Sequence, residues 1–340
     1  MSPVPRPTLA DIARAAEVST ATVSHALNGT GRVGKSTRRR VREAATALGY
    51  GAPQAPRTRI LGVAVTTYPR AWDYTEVAYF SRAITAATAT AHARGYALTI
   101  LPADRVTEDT WHSIAVDGML VMDSPRGDPM VRALRARGIP LVFDGVPGDV
   151  RPGDHWVDND HVATTREVLD HLTASGATRI ALQSGDGDEH YARVVTETYI
   201  AWCAEHAVSP LVVPFIAYDD EGHAFDEVLG GEVPGGKVHG RIDAVHAVYD
   251  PGGRQLLAAA ARHGLRVPDD LLLVCASEDP GYAETEPPVT TVTLDPERTA
   301  RTAVALLVDL IEKGQPDTPR PVMVPAGVRQ RTSSRRRVMY

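Results

Sequence analysis

Cysteine is almost absent from this chain: only Cys203 and Cys275 occur, far apart. Two scattered thiols exclude a disulfide framework and a cysteine-based zinc site, and they suit a reducing compartment. Long apolar runs are missing too, and none approaches the ~20 residues needed to span a bilayer. The N-terminus, MSPVPRPTLADIA, has no apolar signal core followed by a cleavage site, so a cytoplasmic protein without membrane contact is expected. Lysine is scarce: 36 Lys+Arg include Lys35, Lys237 and Lys313 and otherwise arginine. Beside the abundant alanine, that bias reads as GC-rich coding rather than as function. No GxSxG elbow, HExxH pair or Walker A loop is present, so neither a catalytic nucleophile nor a metal or cofactor is expected.

What is present begins with a charge division. Residues 1–59 carry ten Lys+Arg against three Asp+Glu, a formal +7, and the remainder carries 26 against 39, or −13, which sum to the overall −6. A basic head on an acidic body is what phosphate attraction by counterion release would use. The head also has helical periodicity. Leu9, Ile12, Ala13 and Ala16 fall at i, i+3, i+4 and i+7. After a turn at Val18, Ser19 is a natural N-cap for a second helix running to about Leu27. There Val23, Ala26 and Leu27 face inward, while Thr20, Ala21, Ser24, His25 and Asn28 share the opposite side. A third helix is expected from about Lys35 to Leu48, stopped by Gly49, with Ser36 and Thr37 offering phosphate contacts in its first turn. Helix, tight turn and helix with a polar outer face is the helix-turn-helix plan, whose second helix reads the major groove. Gly29–Gly34 (GTGRVG) is formally a GxGxxG, but it joins two helices and so lacks the strand a dinucleotide site needs.

Beyond the linker GAPQAPRTR (residues 51–59), apolar strands alternate with amphipathic helices. Ile60–Val65 reads as a buried strand, Val77–Arg94 as a helix, and Ala97–Leu101, Gly118–Met122 and Pro140–Phe143 as further strands. Helices are expected at Thr164–Ser175, Val195–His206, Arg254–His263 and Thr299–Glu312. Strands are expected at Arg179–Gln183, Leu211–Ile216, Ala244–Val248 and Leu271–Ala276, before a frayed basic tail, RQRTSSRRRVMY. Uninterrupted apolar strands between helices indicate parallel sheets covered on both faces, and so many are best divided between two doubly wound lobes. Ligands of such folds lie beyond the C-terminal strand ends, here in a cleft between lobes. Gly185–His190 and Asp219–His223 cluster metal-capable side chains without ligand spacing and read as solvated turns. Ser184–Gly185 reads as a ligand-side turn.

Over almost its whole length the chain resembles the LacI/GalR family of bacterial transcription regulators. The head segments LADIARAAEVSTATVSHALNG and STRRRVREAATALGY carry the resemblance, as do VDNDHVATTREVLDHLTASGATRIAL, GLRVPDDLLLV and the PPVTTV segment from Pro287. It implies an all-α three-helix helix-turn-helix head at 1–50 and an α/β periplasmic-binding-protein-like effector and dimerisation domain at 60–332. Lobe 1 is expected at about 60–158 and 290–320, lobe 2 at about 159–289 and 321–332, with the basic tail at 333–340. The function implied is a repressor that binds a double-stranded operator as a homodimer and is controlled by a small metabolite, often a sugar or nucleoside. A solute-binding protein or an enzyme on the same fold are the competing readings, opposed by the basic head and by the missing catalytic motifs.

Carried over residue by residue, Thr20, Ala21 and His25 fall where recognition-helix side chains meet base edges. Ser19, Thr22, Ser24, Asn28 and Thr37 fall at phosphate-contact positions. Histidine can bond purine edges, and an alanine methyl can pack on thymine. In the cleft, Glu278 and Asp279 occupy the family's acidic strand-end pair, and Tyr249–Asp250 the position of an Asn-Asp. For Asp250, Glu278 and Asp279 a helix cap or a loop carboxylate is the alternative. Tyr68 and Asp123 are assigned from their places just past strands. Two features depart from the family pattern. The effector-clamping arginine position falls on Val195, with Arg193 nearby but out of register. The linker is about two turns shorter than the hinge helix of relatives and has no leucine to wedge into the minor groove. Arg57 and Arg59 remain candidates for a narrow minor groove, a plain tether being the alternative.

Overall fold

The computed structural model describes residues 8–27, 33–48, 57–66, 77–102, 111, 113–185, 187, 189–230, 241–314 and 320–336. Asn28, Tyr68, most of GTGRVG and linker residues 51–56 lie outside the described residues. The chain divides into two compact units, a small N-terminal head and a body that begins at Arg59.

In the head, α1 (Leu9–Ala15), α2 (Thr20–Leu27) and α3 (Lys35–Ala47) enclose a miniature core. Thr8 caps α1 in a capping box, its side chain accepting from the Asp11 backbone while the Asp11 carboxylate accepts from the Thr8 backbone N–H at 2.8 Å. Ile12, Val23 and Val41, one from each helix, are fully buried, and Leu9, Val18 and Leu27 pack around them. The expected stripes are therefore the buried ones. The turn between α1 and α2 places Glu17 at φ 53°, a left-handed conformation that a side chain adopts at a cost.

The body holds two six-stranded sheets. Lobe 1 is built on β1 (Ile60–Val65), β2 (Ala97–Pro102), β3 (Gly118–Met122), β4 (Leu141–Asp144), β5 (His155–Asn159) and β11 (Arg320–Val324), in the order β11-β5-β4-β3-β1-β2. All its pairings are parallel. Lobe 2 is built on β6 (Ile180–Ser184), β7 (Val212–Pro214), β8 (Ala244–Ala247), β9 (Leu272–Ala276), β10 (Thr290–Thr293) and β12 (Gly327–Arg329), in the order β12-β10-β9-β8-β6-β7. Only the β10–β12 pair is antiparallel. The apolar runs make these strands because both faces are covered: β3 and β9 are buried at every position. Gly62 in β1 is required, since a Cβ there would overlap the Met119 sulfur of β3.

Helices α4 (Ala78–Ala93) and α5 (Pro129–Ala136) belong to lobe 1, and α6 (His161–Ala174), α7 (His190–Glu205), α8 (Asp226–Gly230) and α9 (Gly252–Arg262) to lobe 2. α10 (Pro296–Lys313) returns to lobe 1, where Ala303, Val304, Leu307 and Val308 join Phe80 and Ala83 in one core. Its Asp295 cap and Pro296 explain why it starts three residues before the expected Thr299. Likewise Asp160 accepts from the Ala163 N–H at 2.8 Å and starts α6 at His161 rather than Thr164.

The expected lobe boundaries need correction. Residues 290–293 form β10 of lobe 2, and residues 320–324 form β11 of lobe 1, the reverse of the sequence assignment. Short polar-alternating segments such as HWVDN and TTVT did not register as strands because their partners lie far away in sequence. The chain thus passes between lobes three times, at β5–α6, β10–α10 and β11–β12, in connections of one or two residues. Asn159 ties them together: its side-chain amide donates to the carbonyls of Leu294 (3.1 Å) and Val324 (2.9 Å). The tail is not frayed over its described part. Ser333 and Ser334 are fully buried, and Ser333 donates to Leu273 O at 2.7 Å. Arg59 belongs to the body as well: its backbone N–H bonds Asp117, its guanidinium pairs with Glu312 at 3.3 Å and it covers the Tyr96 ring. Arg59 is thus held on the body by Asp117, Glu312 and Tyr96, which argues against a minor-groove role for it.

Candidate nucleic-acid interface and interlobe cavity

Ser19 caps α2 as expected, its hydroxyl accepting from the Thr22 N–H at 3.1 Å and bonding the Thr22 hydroxyl at 2.8 Å. That arrangement caps the first turn of α2. Thr20, Ala21 and His25 are exposed, with Ser24 and Thr22 half-buried beside them. They lie opposite Val23 and Ala26, which are buried. The head therefore presents one hydrogen-bonding helix face, flanked on α3 by half-buried Thr37 and exposed Lys35, Arg39 and Arg40.

In the body, a cavity of about 110 Å³ opens between the lobes at the C-terminal ends of their strands. Its lobe 1 wall is an acidic shelf. Asp123 follows β3, Asp144 ends β4 and Asp158 lies in β5, on three adjacent strands. The Tyr79 hydroxyl of α4 donates to both oxygens of Asp144, at 2.9 and 3.0 Å. Burial, reinforced by Asp123 and Asp158, pushes the Asp144 carboxyl well above the usual carboxylate range. Burial and Asp144 likewise raise the Tyr79 phenol. Asp158 accepts from the ring of His161 at 2.8 Å and from its neighbour's backbone N–H at 2.8 Å.

Lobe 2 closes the cavity with His161, His190, Tyr191, Tyr249, Asp250 and Glu278. His190 Nε2 reaches across to Asp158 at 3.6 Å, although burial lowers the pKa of His190. Tyr191 stacks edge-on against His161 at 4.8 Å and donates to Val248 O at 3.2 Å. The Ser277 hydroxyl donates to Asp250, whose pKa burial still raises to about 6.

Of the cleft residues expected from sequence, Asp123, Tyr249, Asp250 and Glu278 line the cavity. Arg193 and Asp279 do not. Arg193 pairs with Glu197 at 3.3 Å and donates to His190. Asp279 caps the turn at Pro280–Ala283 and pairs with Arg254 at 2.6 Å, so the helix-cap alternative describes it. Glu278 is partly structural: one oxygen accepts from Thr293 and from the Leu294 and Asp295 N–H groups at the second lobe crossing. Val195, the position of the family's clamping arginine, packs in the lobe 2 core, as does Tyr199. Sequence reasoning missed Tyr79, Asp144, Asp158, His161, His190 and Tyr191. The available signal was a polar residue at each strand end, and α7 was started five residues late, which left His190 and Tyr191 in a loop. Asp219 serves its own turn, accepting from the His223 and Ala224 N–H groups, both at 2.9 Å.

Two family models match separate parts of the chain. Residues 8–53 match the bacterial regulatory proteins of the lacI family, and residues 169–334 match the periplasmic binding protein-like domain. The transcriptional regulator CelR of Thermobifida fusca is 27% identical over 320 residues, 90% of this chain and 92% of CelR. The transcriptional repressor PurR of Aliivibrio fischeri is 26% identical over 90% of this chain and 92% of its own. A solved CelR–cellobiose complex superimposes with a TM-score of 0.71 at 25% identity, covering 96% of this chain and all of that one. The operator-bound lac repressor dimer shares the fold, with a TM-score of 0.68 at 20% identity over 97% of this chain and all of that one. A three-helix DNA-reading head joined to two parallel-sheet lobes, matched throughout by these relatives, places the chain in the LacI family of DNA-binding transcriptional regulators, with a periplasmic-binding-protein-like effector domain.

Proposed function

We propose that the protein is a cytoplasmic homodimeric repressor whose two heads read a two-fold symmetric operator and whose interlobe cavity binds the controlling metabolite. The observation that carries this reading is the cavity itself, whose lining includes Asn159, His161, Val292 and Leu294 at two of the crossings that join the lobes, so that occupancy bears on lobe placement. In the heads, Thr20, Ala21 and His25 contact base edges, and Ser19, Thr22, Ser24, Asn28 and Thr37 contact phosphate. A single three-helix head covers few base pairs, so pairing two heads supplies both affinity and half-site spacing. In the body, Asp123, Tyr249, Asp250 and Glu278 contact the ligand together with Asp144, Asp158, His161 and His190. That CelR is solved with cellobiose supports a hydroxylated ligand of saccharide type.

The test is selection of bound DNA from a random pool by the full-length protein, repeated with candidate ligands. A palindromic site whose retention changes with one ligand is the expected result. Recovery of a single asymmetric half-site would refute the dimer, and equal retention with and without a ligand that protects the cavity would refute effector control.

A further inference from the structure

Taking the interlobe cavity as the effector site, the balance of donors and acceptors around it specifies the charge of the ligand. Five carboxylates line it, those of Asp123, Asp144, Asp158, Asp250 and Glu278, and no lysine or arginine is among the described lining residues. The hydroxyl and amide donors of four lining residues are already engaged within the protein: Tyr79 on Asp144, Tyr191 on Val248 O, Ser277 on Asp250, and Asn159 on Leu294 O and Val324 O.

His161 supplies an independent indication. Its side chain is 6% exposed, and its Nε2 faces the Asp158 carboxylate at 2.8 Å, so that nitrogen carries the proton. Nδ1 is buried on the same cavity-lining residue and has no hydrogen-bond partner. A buried polar atom with no partner carries a desolvation cost that a ligand group removes. One oxygen of Glu278 is likewise buried without a hydrogen bond, although Arg82 and Arg329 form ion pairs with it at 3.8 and 3.6 Å, so the uncompensated acidity lies on the lobe 1 shelf. The cavity thus has acceptors and negative charge to offer, and aromatic walls at Tyr79, Phe80 and Tyr191. An ammonium group has three donors and no acceptor, and it is attracted both to carboxylates and to ring faces.

We propose that the effector is a hydroxylated cation, an amine-bearing polyol of the amino-sugar type, whose ammonium group sits on the shelf formed by Asp123, Asp144 and Asp158 and whose hydroxyls bond His161, Asp250 and Glu278. The same shelf repels phosphorylated and carboxylated ligands. Asp144 adds a signature. Asp123 just past β3, Asp158 on β5 and Tyr79 on α4 all face it, with His161, His190, Asp250 and Glu278 across the cavity, and burial together with Asp123 and Asp158 disfavours its charged form. Arrival of a cation favours the charged carboxylate, so binding releases a proton.

The experiment titrates full-length protein with matched series that differ only in charge: D-glucosamine, D-glucose and D-glucuronate, then the β-1,4-linked glucosamine dimer and cellobiose. Calorimetry in phosphate and in MOPS buffers at one pH reads affinity and proton release together, neither buffer being an amine-bearing polyol. The expected result is at least tenfold tighter binding of an amine member than of its neutral twin, no binding of glucuronate, and an enthalpy that differs between buffers by the ionisation of a released proton. Asp144→Asn keeps the Tyr79 bond and mimics the protonated acid, so it is expected to fold with an unchanged melting temperature. It should lose most of the amine preference and the buffer dependence. Val146→Trp, which fills the cavity from a loop, should abolish binding of every member. Neutral or anionic members binding as tightly as amines, yet blocked by Val146→Trp, would overturn the charge assignment and leave the cavity as the effector site. Amine binding untouched by both variants would remove the ligand from the cavity and overturn both readings. Saturable binding by no amine member also overturns the charge assignment.

Discussion

Asn159 is the residue at which the architecture of the body can be tested most directly. From one lobe crossing its amide bonds the other two, through Leu294 O and Val324 O, and it is 5% exposed. Asn159→Ala deletes both bonds and leaves two carbonyls to find new donors. Each lost bond amounts to about 1 kcal/mol net, and each orphaned buried acceptor to about 1–3 kcal/mol where water cannot enter. One carbonyl lies in a half-buried setting and can be rehydrated, so the estimate is about 2–4 kcal/mol. At roughly 2–4 °C per kcal/mol for a domain of this size class, the melting temperature should fall by about 5–15 °C. Asn159→Asp should be worse at neutral pH, because a carboxylate would face two carbonyl oxygens, and it should recover partly in acid as it gains a proton to donate. Differential scanning calorimetry of the three proteins gives the order, and operator binding with and without ligand shows whether loosening the crossings weakens the response. If Asn159→Ala melts within about 1 °C of the parent and responds to ligand unchanged, this account of the crossings is refuted.

Other outcomes follow from separate parts of the molecule. His246 in β8 is 3% exposed with neither ring nitrogen bonded, and burial lowers its pKa to about 4. Because the folded value lies below the unfolded ~6.5, no penalty applies above pH 6.5, and stability falls as pH drops from there toward 4, by about 3 kcal/mol in all. His246→Leu should flatten that part of a urea-denaturation pH profile; an unchanged profile would show that another group carries the acid loss. Glu17→Gly relieves a left-handed backbone in the head turn and should stabilise the head by about 0.5–1 kcal/mol after the added unfolded-state entropy, read by thermal melting of the head signal, with destabilisation as the contrary result. His25→Ala should reduce operator affinity by about 1–3 kcal/mol and relax preference at one base pair per half-site in a mobility-shift series, whereas a uniform loss across sequences would make it a phosphate contact. Permuting the central base pairs of the operator should matter much less than half-site changes, since residues 51–59 contain no leucine; a comparable loss would reveal a wedge.

How much of this was legible beforehand differs sharply between the two units. The head is built from contacts among residues close in sequence, so helical spacing alone placed Ile12 and Val23 inside and Thr20, Ala21 and His25 outside. The Ser19 cap was readable for the same reason: a cap acts within three residues. In the body, strongly apolar strands such as β1, β3 and β9 announced themselves, and with them two doubly wound lobes and a ligand cleft at the strand ends. Only tertiary structure decided the rest. β5, β10 and β11 are strands because distant neighbours complete their hydrogen bonding, and β10 and β11 had been given to the wrong lobes. The cavity wall draws Tyr79, Asp144, His161, His190 and Glu278 from five separate segments, and nothing local marks Asp144 as the carboxyl whose burial between two other acids raises its pKa. Periodicity records which way a side chain faces within its own element. Proximity between strand ends is a property of sheet order, and no single segment carries it.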